Sequence, residues 1–344
     1  MSELWFWMVA VLLTLWAVLD GFDFGVGALH RFVARTDSER AQVIGSIGPV
    51  WDGNEVWLVA AGGSMLLAFP RLLAAGFSGF YLPVIFIVWA LILRGVSIEL
   101  RHHLDSPLWR SFFDSTLVVS SIAVPFLMGA ALGNVIRGVP LDANGFFELP
   151  LFPAEGRLGV VDGYTFLIGL LTVVTLVAHG ANWLVLKTDG EVQKRASALR
   201  LRAWGAVIVL WIAALIATAR VWPDFVSLLG QRPIAWLGSA SALAGLVVIF
   251  SKRESERAAF FGGVAFIAGV LVATVAALFP LVLRGVNGAA DSMTVNTAAS
   301  TGSGMSAGVW WWVPGISLAA LWYWWVFRHF RGKVALPAPG ESGH

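Results

Sequence analysis

Leu19-Asp20-Gly21-Phe22-Asp23-Phe24-Gly25-Val26-Gly27 and Gly48-Pro49-Val50-Trp51-Asp52-Gly53-Asn54-Glu55-Val56-Trp57-Leu58 set four acids inside two apolar stretches. Asp20 and Asp23 are three residues apart, as are Asp52 and Glu55. On a helix that spacing puts both members of a pair on one face. A charged side chain at bilayer depth costs about 2.5–3.5 kcal/mol on an insertion scale, and acids kept there usually serve function.

The surroundings of these stretches decide the class. The 344-residue chain is 58% hydrophobic and 13% charged, against about 25% charged in an ordinary soluble domain. It reads as an all-α polytopic membrane protein. A net charge of +2 with no basic run gives no footprint for nucleic acid. Cysteine is absent, which excludes disulfides, thiolate metal sites and cysteine nucleophiles. The Met1-Ser2-Glu3 start lacks a basic region, so the first apolar run reads as a permanent span.

About 20 apolar residues cross a bilayer. Nine stretches qualify, near 4–29, 50–69, 76–98, 112–135, 161–186, 203–222, 234–250, 258–283 and 308–327. Nine spans place the termini on opposite sides. One side then carries 17 of the 23 Lys and Arg and the other carries 6. Basic residues favour the cytoplasmic side, so the N-terminus is expected outside and the C-terminus inside. Trp at the ends of the first, sixth and ninth spans suits an aromatic belt. The loop 284–307 is expected to be an extended cover or a partner contact, and residues 333–344 a flexible cytoplasmic tail.

With that orientation Asp20 and Asp23 fall late in the first span, and Asp52 and Glu55 early in the second. All four should meet near the cytoplasmic face, closed in by Gly21, Gly25, Gly27, Gly48 and Gly53. Like charges cannot all ionise cheaply in a low-dielectric site. Acids that share protons are what a proton relay needs. The alternative is that Arg94, Arg101 or Lys187 pairs with them and fixes helix register. Oxygen ligands also suit a hard cation, although no spacing selects a metal. Arg94 and Glu99, at the inner end of the third span, are candidate neighbours of the acids.

Six histidines are present, and His179 is the one placed well inside a span. A lone buried His is more often a helix-to-helix hydrogen bonder than a haem ligand. The residues thus offer acids for protons and little for electrons.

The two acidic stretches, together with Ala74-Ala75-Gly76-Phe77-Ser78-Gly79-Phe80-Tyr81 and Leu278-Phe279-Pro280, resemble subunit II of the cytochrome bd-type quinol oxidases. The resemblance covers nearly the whole chain. It implies one transmembrane domain over 1–332, made of two four-helix bundles (about 4–135 and 161–283) and a peripheral helix (about 308–327). It implies a bacterial cytoplasmic (inner) membrane location and a haem-bearing partner, subunit I, holding haem b and haem d, or haem b alone. This chain would bind no haem. The complex would oxidise quinol and reduce dioxygen to water. A small single-span subunit, lipid and a structural quinone are further companions that the resemblance allows. Asp52 and Asp23 would lie on a proton path from the cytoplasm, with Asp20 and Glu55 beside them. Trp51, Asn54 and Trp57 of the same motif, with Arg94 and Glu99, would support it. The contrasting reading is an independent proton-coupled transporter.

Overall fold

The computed structural model describes residues 1–301 and 303–336; the expected tail falls largely outside the described residues. Helix α1 (Ser2–Val33) is followed by a short α2 (Asp37–Gly45), then α3 (Trp51–Ala68), α4 (Pro70–Gly79), α5 (Tyr81–Leu100) and α6 (Pro107–Arg137). The second half holds α7 (Gly163–Lys187), α8 (Gly190–Val221), α9 (Phe225–Gln231), α10 (Pro233–Ser251) and α11 (Glu256–Leu278). A hairpin of β1 (Leu281–Gly285) and β2 (Gly288–Thr294), then α12 (Val295–Ala298) and α13 (Gly304–His329), complete the described chain.

Local chemistry explains many boundaries. Thr36 caps α2 in a reciprocal capping box with Glu39, and Asp162 does the same for α7 with Thr165. Ser106 caps α6, whose first residue is Pro107. That start lies before the expected 112, so Asp114 sits two turns inside the helix.

Two expectations need correction. The second and third spans were drawn as 50–69 and 76–98. Instead α3 stops at Ala68 and α4 leaves at an angle of 118°. Proline lacks an N–H and disfavours helical geometry at the residue before it. Phe69 accordingly takes φ −133°, ψ 57°. Segment 76–79 belongs to α4, and the next helix begins at Tyr81. The second correction concerns 258–283 and 284–307. Helix α11 ends at Leu278, and the chain forms an antiparallel hairpin pairing Leu281 with Thr294 and Gly285 with Gly288. The Asn287-Gly288 turn signal was present in the sequence.

Seven helices are long and apolar enough to cross a membrane, or eight if the bent α3–α4 pair is one span. Helix α13 is a 26-residue helix but is not among them. Its Trp310, Trp311, Trp312, Trp322, Tyr323, Trp324 and Trp325 keep its hydropathy modest.

Helix α1 is central. It packs against α3, α6, α7 and α11. Its contact with α7 is backbone to backbone: a Cβ on Gly25 would sit 1.9 Å from the Leu176 carbonyl oxygen. Small residues permit such approach between membrane helices. The cores of α1, α7 and α11 meet around Phe22, whose ring stacks on Trp183 at 4.0 Å. Helix α13 lies on α3, with Tyr323 against Trp57 at 5.3 Å between ring centroids.

Candidate functional site

The site begins on α1. Trp16, Asp20, Asp23 and Phe24 share the side of α1 that faces α3 and α5. Asp20 is fully buried, and both its oxygens are used. Arg94 of α5 donates from Nη1 to Oδ1 at 2.5 Å, and Trp16 donates from Nε1 to Oδ2 at 2.8 Å. Arg94 also donates from Nη2 to Glu55 of α3 at 3.1 Å. The guanidinium lies over the Phe24 ring, 4.1 Å from its centroid, and 6.0 Å from that of Trp51. Arg94 therefore ties α1, α3 and α5 together through ion pairs and aromatic faces.

Asp23 is also buried but is held differently. Asn54 of α3 donates from Nδ2 to its Oδ2 at 2.7 Å and to the Leu19 carbonyl at 3.3 Å. Among the described residues the other carboxylate oxygen, Oδ1, meets no hydrogen-bond partner, and neither does Asn54 Oδ1. Asp23 makes no ion pair among the described residues.

The remaining sequence candidates fall around this core. Glu55 keeps 22% of its side chain exposed, so it links the buried pair to the outside of the chain. Asp52 is exposed in the first turn of α3, where a carboxylate suits the helix dipole. It stands beside the cluster and makes no ion pair among the described residues. Trp57 is buried and packs on Tyr323. Glu99 is exposed; its backbone carbonyl, rather than its carboxyl, contacts His103. Arg101 and Lys187 do not reach the acids. Lys187 donates to the Phe330 carbonyl.

Sequence reasoning missed Trp16, Phe24 and a second buried cluster. Trp16 lies four residues before Asp20, a spacing that joins side chains on a helix. The second cluster centres on Asp114 of α6. Its carboxylate pairs with His30 at 2.7 Å, Arg101 at 2.6 Å and Arg40 at 3.2 Å. Arg101 continues to Asp37 at 2.5 Å, and Arg110 joins Asp37 at 2.7 Å. Two guanidiniums, those of Arg101 and Arg40, face this carboxylate, whereas Asp23 has no ion pair among the described residues.

His179 is buried and donates from Nε2 to the Val18 carbonyl at 3.2 Å. Its ring stacks on Phe260 at 5.0 Å. A Cβ added to Gly263 would lie 2.7 Å from His179 Nδ1. The packing against His179 leaves no room for a porphyrin beside this ring. Among the described residues no group of three or more His, Cys, Asp or Glu could hold a metal.

The family model for cytochrome bd terminal oxidase subunit II matches residues 1–330. The cytochrome bd-I ubiquinol oxidase subunit 2 of Escherichia coli (strain K12) is 37% identical over 219 residues, 64% of this chain. That alignment spans 56% of the E. coli subunit's own length. The cytochrome bd ubiquinol oxidase subunit 2 of Bacillus subtilis (strain 168) is 30% identical over 334 residues, 95% of this chain and 96% of that one. The bd oxidase structure from Geobacillus thermodenitrificans shares the fold, with a TM-score of 0.74 at 17% identity. It covers 96% of this chain and 98% of the matched chain.

Proposed function

The chain belongs to the cytochrome bd terminal oxidase subunit II family, and from that premise we propose that it is the haem-free second subunit of a quinol:dioxygen oxidoreductase. It is a multi-pass protein of the bacterial inner membrane. Its partner, subunit I, would hold the haems and reduce dioxygen to water. This chain would stabilise that partner and admit protons from the cytoplasm.

The finer architecture belongs to the same proposal. Helices α1, α3, α5 and α6 form one four-helix bundle and α7, α8, α10 and α11 the other, with α13 peripheral. Each of the nine expected stretches overlaps a helix of at least 18 residues, which supports nine spans with the N-terminus outside and the C-terminus inside. A structural quinone would find an apolar groove of about 810 Å³ between α5 and α6, lined by Phe86, Trp89, Leu93 and Phe112. The exposed face of α3, with Val56 at 55% and Val59 at 71% exposure, suits burial against subunit I.

One observation carries the proton reading: Asp23 is a buried carboxyl with an open oxygen and no cation partner, beside acids that lead outward. Glu55 and Asp52 supply the outward end, and Trp51, Asn54, Trp57 and Arg94 hold the geometry. Glu99 is left out of the proposed path because its carboxyl contacts none of these acids among the described residues. Family membership favours this over an independent transporter. The test is oxygen consumption per haem in the assembled complex carrying Asp23→Asn or Asp52→Asn. Lower turnover at unchanged haem content is expected. Full turnover in either variant removes that acid from the path, and lost haem assigns it to assembly.

A further inference from the structure

Asp20 and Asp23 are three residues apart on one helix and equally buried, yet their surroundings differ in kind. Both Asp20 oxygens are engaged, one by the Arg94 guanidinium and one by Trp16. Removing the charge from Asp20 would strand Arg94, which is 1% exposed, with only the partly exposed Glu55 as its anion. A buried cation that loses its partner is costly. Arg94 is also held over the Phe24 ring, so it has little freedom to seek another partner. Asp23 has no such tie. A buried carboxyl without a counter-charge can take a proton instead of remaining an anion.

Resting on the proton-path reading, we propose a division of labour. Asp20 is the fixed counter-ion of Arg94 and a positioning residue. Of the two α1 acids, Asp23 alone is the one whose proton comes and goes, with Asn54 serving both of its states. When Asp23 is ionised, Asn54 donates its N–H to Oδ2, as in the structure. When Asp23 binds a proton and presents the O–H at the Oδ2 position, that O–H needs an acceptor where Asn54 had donated. The unpartnered Asn54 Oδ1 supplies one after a half-turn of the amide, because an amide offers both donors and an acceptor. With Asp20 and Glu55 ionised against Arg94, the cluster then alternates between net charges of −1 and −2. Asp20 keeps its charge throughout. The two acids look equivalent in sequence, and only their contacts separate them.

The test uses the assembled complex with Asp20→Asn, Asp23→Asn, Arg94→Gln and the double variants Asp20→Asn/Arg94→Gln and Asp23→Asn/Arg94→Gln. Asp20→Asn should slow oxygen consumption per haem about tenfold or more, and the added Arg94→Gln should recover most of the loss, because anion and cation leave together. Asp23→Asn should be slowed as much and gain nothing from Arg94→Gln. Redox-induced infrared difference spectra give a second readout. The carboxylic acid C=O band should vanish in Asp23→Asn and persist in Asp20→Asn and its double variant. Loss of that band in Asp20→Asn, with Asp23 intact, overturns the division. So does a double variant as slow as Asp20→Asn while the band persists only with Asp20 present. Full turnover and an unchanged band in Asp23→Asn would instead overturn the proton-path reading itself.

Discussion

Asn54 donates to Asp23 over 2.7 Å while the other oxygen of that buried carboxylate has no partner among the described residues. The pair joins α1 to α3 and sets the geometry of a buried acid that makes no ion pair among the described residues. Replacing Asn54 by Leu keeps similar bulk and removes the amide. Oxygen consumption per haem should fall about tenfold, a change near 1.4 kcal/mol in barrier. Thermal stability should fall by about 1–3 kcal/mol for the unsatisfied group. A Leu variant with normal turnover would show that Asp23 does not depend on this contact.

Asp114 ties four elements by a different logic. His30 of α1, Arg40 of α2 and Arg101, the residue that ends α5, converge on its carboxylate in α6. Asp114→Asn leaves buried Arg101 short of an anion and should cost about 3–5 kcal/mol of stability. Turnover per haem in the surviving complex should be unchanged, since the cluster lies apart from Asp23. Thermal unfolding in detergent and haem-normalised activity separate the two effects. A loss below about 1 kcal/mol would mean that the ion pairs barely exceed their desolvation cost.

Glu39, on the short α2, gives a pH signature. Burial pushes its carboxyl up, but the Arg195 guanidinium and the Arg35 and Thr36 N–H groups outweigh this and hold it at about 2, against an ordinary 4.5. A carboxyl lowered on folding adds stability that is present above its unfolded value and is lost as pH falls through the folded one. Wild type should therefore lose stability between about pH 4.5 and 2 relative to Glu39→Gln. Parallel unfolding curves for the two proteins across that window would contradict the assignment.

Gly25→Ala tests the contact between α1 and α7. The added Cβ would meet the Leu176 carbonyl oxygen at 1.9 Å, so a backbone must move. Overpacking costs about 1–3 kcal/mol or more. Gly63→Ala, with nothing within 4 Å of the added atom, is the control and should leave the unfolding midpoint in place. Equal midpoints for both variants would show that the helices separate without cost.

Composition, spacing and charge asymmetry determined much of this protein. The run of apolar stretches, the acids within the first two, and the motif around Trp51 and Asn54 are local properties, legible because a bilayer demands long apolar helices and tolerates acids only for cause. Tertiary structure decided which acids meet which partners. Asp20 and Asp23 carry the same side chain three residues apart, yet the approach of α5 and α3 gives one a guanidinium and the other an amide. Asp52 and Glu55 share a motif, yet the turn of α3 leaves the first exposed and brings the second to Arg94. Residues distant in sequence supply those contacts, so packing rather than local pattern fixes what each carboxyl can do.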